Sequence, residues 1–157
     1  MNSSARSALE AYSQVGLNAK VAAASPHGLI TMLFDGAIAA ITKAKYHMGK
    51  SGVEDIAEKG AAISKAIAII DDGLKASLNI EVGGELAQNL NSLYEYMSFR
   101  LVHANLKNDA DILDEVSQRL SELKEAWDSI GVRQAESAMS LGSKSVNSHG
   151  SVTYGKV

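Results

Sequence analysis

The stretch VEDIAEKGAAISKAIAIIDDGLKASL, residues 53–78, decides the fold. Val53, Ile56, Gly60, Ile63, Ile67, Ile70, Leu74 and Leu78 recur in it at steps of three and four. That spacing lines them along one side of an α-helix, in the pattern of a bundle seam. β-Branched runs flanked by turn residues, the signature of strands, are missing from the chain.

Working outward, Gly49-Lys50-Ser51-Gly52 separates this helix from one that begins at Ser25-Pro26. Serine is a good N-cap, and proline at the first helical position needs no amide partner. Ile30, Leu33, Phe34, Ala37, Ile41, Ala44 and Met48 form the apolar stripe of that helix. On the other side, Asn79-Ile80-Glu81-Val82-Gly83-Gly84 stops the seam helix. A third stripe follows in Leu86, Leu90, Leu93, Met97, Leu101 and Ala104. Asn108-Asp109 then restarts the chain, with Asp109 or Asp111 as the N-cap of a helix striped by Leu113, Val116, Leu120, Leu123, Trp127 and Ile130. Gly131 is expected to close it.

Each helix has roughly 20 or more residues, about 30 to 35 Å at 1.5 Å per residue. Links of a few residues make neighbours antiparallel. The expected fold is all-α, an antiparallel up-down four-helix bundle over residues 25–131. Residues 1–24 form an N-terminal segment in which Ala5 to Val15 make a short amphipathic helix with Leu9 and Tyr12 on its apolar side. Residues 132–157 are expected to be a disordered tail, because Ser140 to Val157 is rich in Ser and Gly and too poor in apolar surface to offset its ordering entropy.

Composition narrows the function. The 157 residues suit one domain with one core. A net charge of -3, from 15 Lys+Arg against 18 Asp+Glu, lacks the basic footprint of a nucleic-acid binder. The absence of cysteine removes disulfides, thiolate nucleophiles and cysteine metal sites together. No signal-peptide core appears near Met1, and the most apolar stretch, Leu29 to Ile41, is broken by Thr31, Asp35 and Gly36. A cytoplasmic protein without membrane insertion is expected.

No reaction chemistry is legible. His27, His47, His103 and His149 lie on four different segments, and neither HExxH nor a Glu-x-x-His pair occurs. Gly-x-Ser-x-Gly is absent, and Gly83-Gly84 sits in no phosphate-loop motif. Catalytic, metal and cofactor residues are therefore none, and an enzyme is not expected. Tyr94 and Tyr96, two residues apart on a helix, cannot both be core.

The helix from Pro26 carries more apolar surface than one stripe needs. Met32, Phe34 and Ile38 are left over once the main stripe is packed, so either a fifth helix or a partner covers them. An apolar groove of this kind suits helix-in-groove recognition.

At these same residues the chain resembles the FliS family of flagellar secretion chaperones. The resemblance is carried by Ala24-Ser25-Pro26-His27-Gly28-Leu29-Ile30-Thr31-Met32-Leu33-Phe34-Asp35-Gly36-Ala37, and by Leu74-Lys75-Ala76-Ser77-Leu78-Asn79. It continues through Gly83-Gly84-Glu85-Leu86-Ala87-Gln88-Asn89-Leu90, Leu93-Tyr94-Glu95-Tyr96-Met97, Arg100-Leu101 and Ala104-Asn105. Ala126-Trp127 and Ala11-Tyr12-Ser13-Gln14-Val15 also match, so the likeness spans about residues 5 to 131 in order. Phe34 stands where many relatives carry tyrosine, and Asn79 where aspartate is common.

The resemblance implies a cytoplasmic export chaperone that holds the disordered C-terminal segment of flagellin, prevents premature polymerisation and delivers the subunit to the type III export apparatus. It implies a groove or core contribution from Ile30, Leu33, Phe34, Ile38, Leu90, Tyr94, Met97 and Leu101. It also implies docking to the cytoplasmic domain of an export-gate protein through Leu9 and Tyr12. The free protein is expected to be a monomer or weak dimer. A four-helix adaptor or signalling module with another client, and an enzyme or metal-binding bundle, are the alternatives.

Overall fold

A computed structural model describes residues 24–147, with side chains over 24–132. The described residues are all-α and contain no strand. They form α1 (Pro26–Met48), α2 (Val53–Ala68), a π-helical segment (Ile69–Lys75), α3 (Ile80–Lys107) and α4 (Ala110–Asn147). The amphipathic segment Ala5 to Val15 lies outside the described residues.

Local chemistry sets each boundary. The Ser25 hydroxyl accepts from the Gly28 amide at 3.0 Å, with Pro26 next in the first turn. α1 stops at Gly49, as the sequence spacing requires. Glu54 and Asp55 occupy the first turn of α2, where carboxylates meet the positive end of the helix dipole. The Asn79 side chain caps α3 by accepting from the Val82 amide at 3.1 Å. Asn108 ends α3 in the left-handed region, φ 53°, which asparagine tolerates better than most residues. Asp109, one of the two expected caps, accepts from the amides of Asp111 and Ile112.

The chain divides into two compact units, one ending at Ser121 and one starting at Glu122. In the first, Ile41, Ile63, Ile70, Leu74, Met97, Leu101, Leu113, Val116 and Leu120 are its most deeply buried large side chains. Alanines 37, 44, 66 and 104 are also fully buried, and such small side chains let helix backbones approach closely.

Contacts within this unit pair the helices in opposing chain order. Along α1 and α2 they are His47 with Asp55 at 2.8 Å and Lys43 with Glu58 at 3.1 Å. Along α2, the π segment and α3 they are Lys59 with Asn105, Asp71 with Ser98, and Lys75 with Glu95. Lys59 is buried and donates to the Asn105 carbonyl at 3.1 Å and the Asn108 side chain at 3.0 Å, so it fastens the C-terminal end of α3. Glu115 of α4 accepts from Tyr96 at 2.8 Å and from Arg100 at 3.5 Å.

Four sequence expectations change. The seam helix is not α-helical throughout, since Ile69–Lys75 widens into a π-helical stretch. Its first two stripe residues, Val53 and Ile56, are 86% and 61% exposed, because they lie in the opening turns, before the buried run that starts at Lys59 and Ala62. The break before α3 is narrower than expected. Ile80 already opens the helix and only Gly84 departs, at φ 57° and ψ -135°, a conformation suited to glycine. Leu86, two residues beyond that kink, is exposed. Lastly, Gly131 does not close α4, which continues to Asn147. A glycine inside a helix costs about 1 kcal/mol relative to alanine, which weakens a helix without forbidding it.

In the second unit the backbone stays helical from Glu122 to Asn147, with Leu123 and Trp127 half-buried and Ile130 exposed. Among the described residues no helix is long and apolar enough to cross a membrane.

Candidate functional site

The residues expected to line a groove divide into two groups. Phe34, Tyr94, Met97 and Leu101 are interior, between 0% and 4% exposed. Ile30, Leu33, Ile38 and Leu90 are half-buried and so offer surface as well as packing. Phe34 is thus not left over from the α1 stripe. It stands five positions after Leu29, which is exposed, and it is buried together with Ala37 and Ile41. Met32 and Ile38 do remain half-buried. Leu9 and Tyr12 lie outside the described residues.

The π segment ties these groups together, because it packs against both α1 and α3. Its contact with α1 is close and reciprocal. A β-carbon at Gly73 would lie 2.9 Å from Leu33 Cδ2, and one at Gly36 would lie 3.4 Å from Ile69 Cδ1. Each helix therefore presents a bare glycine to a branched side chain of the other. Sequence reading took Gly36 only as a break in an apolar stretch and passed over Gly73, although a glycine kept inside a helical pattern usually has a packing reason.

Polar groups border this region without forming a reaction centre. Burial pushes the Tyr94 phenol up to about 12, so it stays protonated at any physiological pH. Tyr96 is exposed, and its hydrogen bond to Glu115 raises its pKa above the ordinary phenol value. The pair thus obeys the one-inside rule, with Tyr94 as the core member. Glu95 is held below the usual carboxylate range chiefly by its hydrogen bond to Lys75. Among the described residues, no three His, Cys, Asp or Glu side chains are placed to hold a metal ion.

An open hollow of about 300 Å³ lies where α1 meets α2, lined by Gly36, Ala39, Ala40, Lys43, Ala61, Ala62 and Lys65. Its walls are small side chains and lysine stems, with no nucleophile beside a base. A second apolar feature, unforeseen from sequence, is the exposed stripe Phe99, Val102 and Leu106 on α3, with the Phe99 ring edge-on to His103 at 4.6 Å. Its three- and four-residue steps were available in the sequence, but the stripe of Met97, Leu101 and Ala104 dominates the same helix.

Half-buried and exposed apolar side chains thus stand on the described surface of α1 and α3. Comparison with known proteins assigns the chain to a family. The family model described as flagellar protein FliS matches residues 8–134. The chain is 51% identical over 124 residues to the flagellar secretion chaperone FliS of Salmonella typhimurium, covering 79% of this chain and 90% of that protein. It is 48% identical over 126 residues to the flagellar secretion chaperone FliSB of Pseudomonas aeruginosa, covering 80% and 97%. It is 33% identical over 117 residues to the FliS chaperone of Bacillus subtilis, covering 74% and 80%. With the all-α body matched almost end to end, the chain belongs to the flagellar protein FliS family, whose members are chaperones and not enzymes.

Proposed function

We propose that this protein is a cytoplasmic export chaperone whose client is the disordered C-terminal segment of flagellin. The half-buried apolar residues Ile30, Leu33, Ile38 and Leu90, of which Leu33 meets the π segment at Gly73, are the observation that carries this reading. A client chain that adds helices there buries apolar surface of both partners, which offsets its ordering cost of about 2–5 kcal/mol or more. Phe34, Tyr94, Met97 and Leu101 act behind them as the packed wall. Holding the client keeps it from polymerising and presents it to the type III export apparatus.

The reading includes an antiparallel up-down four-helix bundle as the scaffold, supported by the opposed pairing of Lys43 with Glu58 and Asp71 with Ser98. It also includes docking of Leu9 and Tyr12 to the cytoplasmic domain of an export-gate protein, and a free state that is monomer or weak dimer. These rest on the family likeness.

Two charge substitutions test the client surface. Ile38→Glu is expected to weaken binding of a flagellin C-terminal peptide at least tenfold, a loss of about 1.4 kcal/mol, with a melting temperature near that of the parent. Met97→Glu is expected to unfold the protein, since Met97 is fully buried. Undiminished peptide binding by folded Ile38→Glu would remove that face from the client site.

A further inference from the structure

Leu33 lies so near Gly73 that no side chain fits between them, and the pair lies at the edge of the proposed client face. Leu33 is half-buried on α1, and Gly73 sits in the π segment. A β-carbon at position 73 would come within 2.9 Å of Leu33 Cδ2, 3.2 Å of Cδ1 and 3.6 Å of Cγ. Ordinary apolar contacts between carbons fall near 3.5–4.0 Å. Only a glycine therefore leaves room for the Leu33 isobutyl group in its present position.

The matching contact of Ile69 on Gly36 lies one turn away along each helix and fixes the register of the pair. The π-helical stretch contributes both Ile69 and Gly73, four residues apart, to this contact with α1. Gly73 does not need its glycine for backbone reasons, because Gly84 is the only described glycine with a positive φ. What the missing side chain supplies is room.

We propose that Gly73 is a specificity-determining residue of the client face, acting as the seat that keeps Leu33 low. This inference rests on the client reading given above. A methyl at position 73 meets the far end of a flexible side chain, so Leu33 turns outward instead of the backbone moving. The raised leucine then occupies space that a client side chain would fill. Gly73 acts through Leu33 and is a positioning residue, with no contact to the client required of it.

A double-mutant cycle tests this, using Gly73→Ala, Leu33→Ala, both together, and a peptide of the flagellin C-terminal segment. Gly73→Ala is expected to bind about tenfold more weakly, within the range that one extra methylene causes in an apolar pocket. Its melting temperature is expected to be unchanged or higher, because alanine is the better helix former. In the Leu33→Ala background the added methyl finds space, so the double variant should bind like Leu33→Ala alone.

Parent-like binding by Gly73→Ala would overturn the inference while leaving the client reading intact. So would an equal loss from Gly73→Ala in both backgrounds. If the parent protein, shown to be folded, fails to bind the peptide, the client reading falls and this inference falls with it.

Discussion

Tyr94 and Tyr96 stand two residues apart in α3, at 4% and 45% exposure. Helical geometry alone demands that they differ, and that much was legible in the sequence. Which of the two points inward depends on the phase of the helix, which Met97 and Leu101 set by packing. The burial has a measurable consequence. Tyr94 titrates at about 12 in the fold against 10.0 as the reference value, so folding favours its protonated form. The folded state then binds more protons than the unfolded state between those values, and stability falls as pH rises through that window. Below pH 10 this contribution is fully present. Thermal melts of the parent and of Tyr94→Phe at pH 8 and pH 11 should show a smaller alkaline loss in the variant. A shift of this size corresponds to about 2–3 kcal/mol at most. Equal alkaline losses in both proteins would mean that Tyr94 ionises freely. Phe34 carries the same lesson about phase, since a residue counted as spare on α1 fills the interior.

The helices themselves were the most legible elements, because caps and spacing agree. Ser25-Pro26, Gly49, Asn79 and Asn108-Asp109 all stand at element boundaries and make the contacts their chemistry suggests. Three features could not be read. The π-helical stretch keeps Ile70 and Leu74 four residues apart, a step equally compatible with an α-helix, so periodicity is blind to it. Val53, Ile56 and Leu86 continue stripes by spacing alone, yet they lie at helix beginnings where little packs on them. Gly131 resembles a stop signal, but the helix runs through it into Arg133, Gln134, Ala135 and Glu136, which are good helix formers. The kink at Gly84 gives this scale its test. Gly84→Ala forces a β-carbon into φ 57°, ψ -135°, and should cost about 1–3 kcal/mol. Urea unfolding would read that loss as a lower midpoint with an unchanged slope. A parent-like midpoint would show that α3 can straighten at no cost.

Across its described residues the protein is all-helical, with half-buried apolar side chains on α1 and α3 and no cluster of metal-binding groups. Its family membership was legible because several signatures stand in register along the chain, from Ser25-Pro26 to Ala126-Trp127. The proposed client face was legible only in part. Sequence shows an excess of apolar residues on α1, but burial depends on which neighbours cover them. Four of the eight expected residues, Phe34, Tyr94, Met97 and Leu101, turn out to be interior. The remaining four, Ile30, Leu33, Ile38 and Leu90, are half-buried and are the ones retained in the proposed client face. Calorimetric titration with a peptide of the flagellin C-terminal segment, followed by circular dichroism, tests the central claim most directly. One-to-one binding is expected, with a negative heat-capacity change from buried apolar surface and a gain of helix as the client orders. No heat and no helix gain, from protein shown by its melt to be folded, would contradict the account.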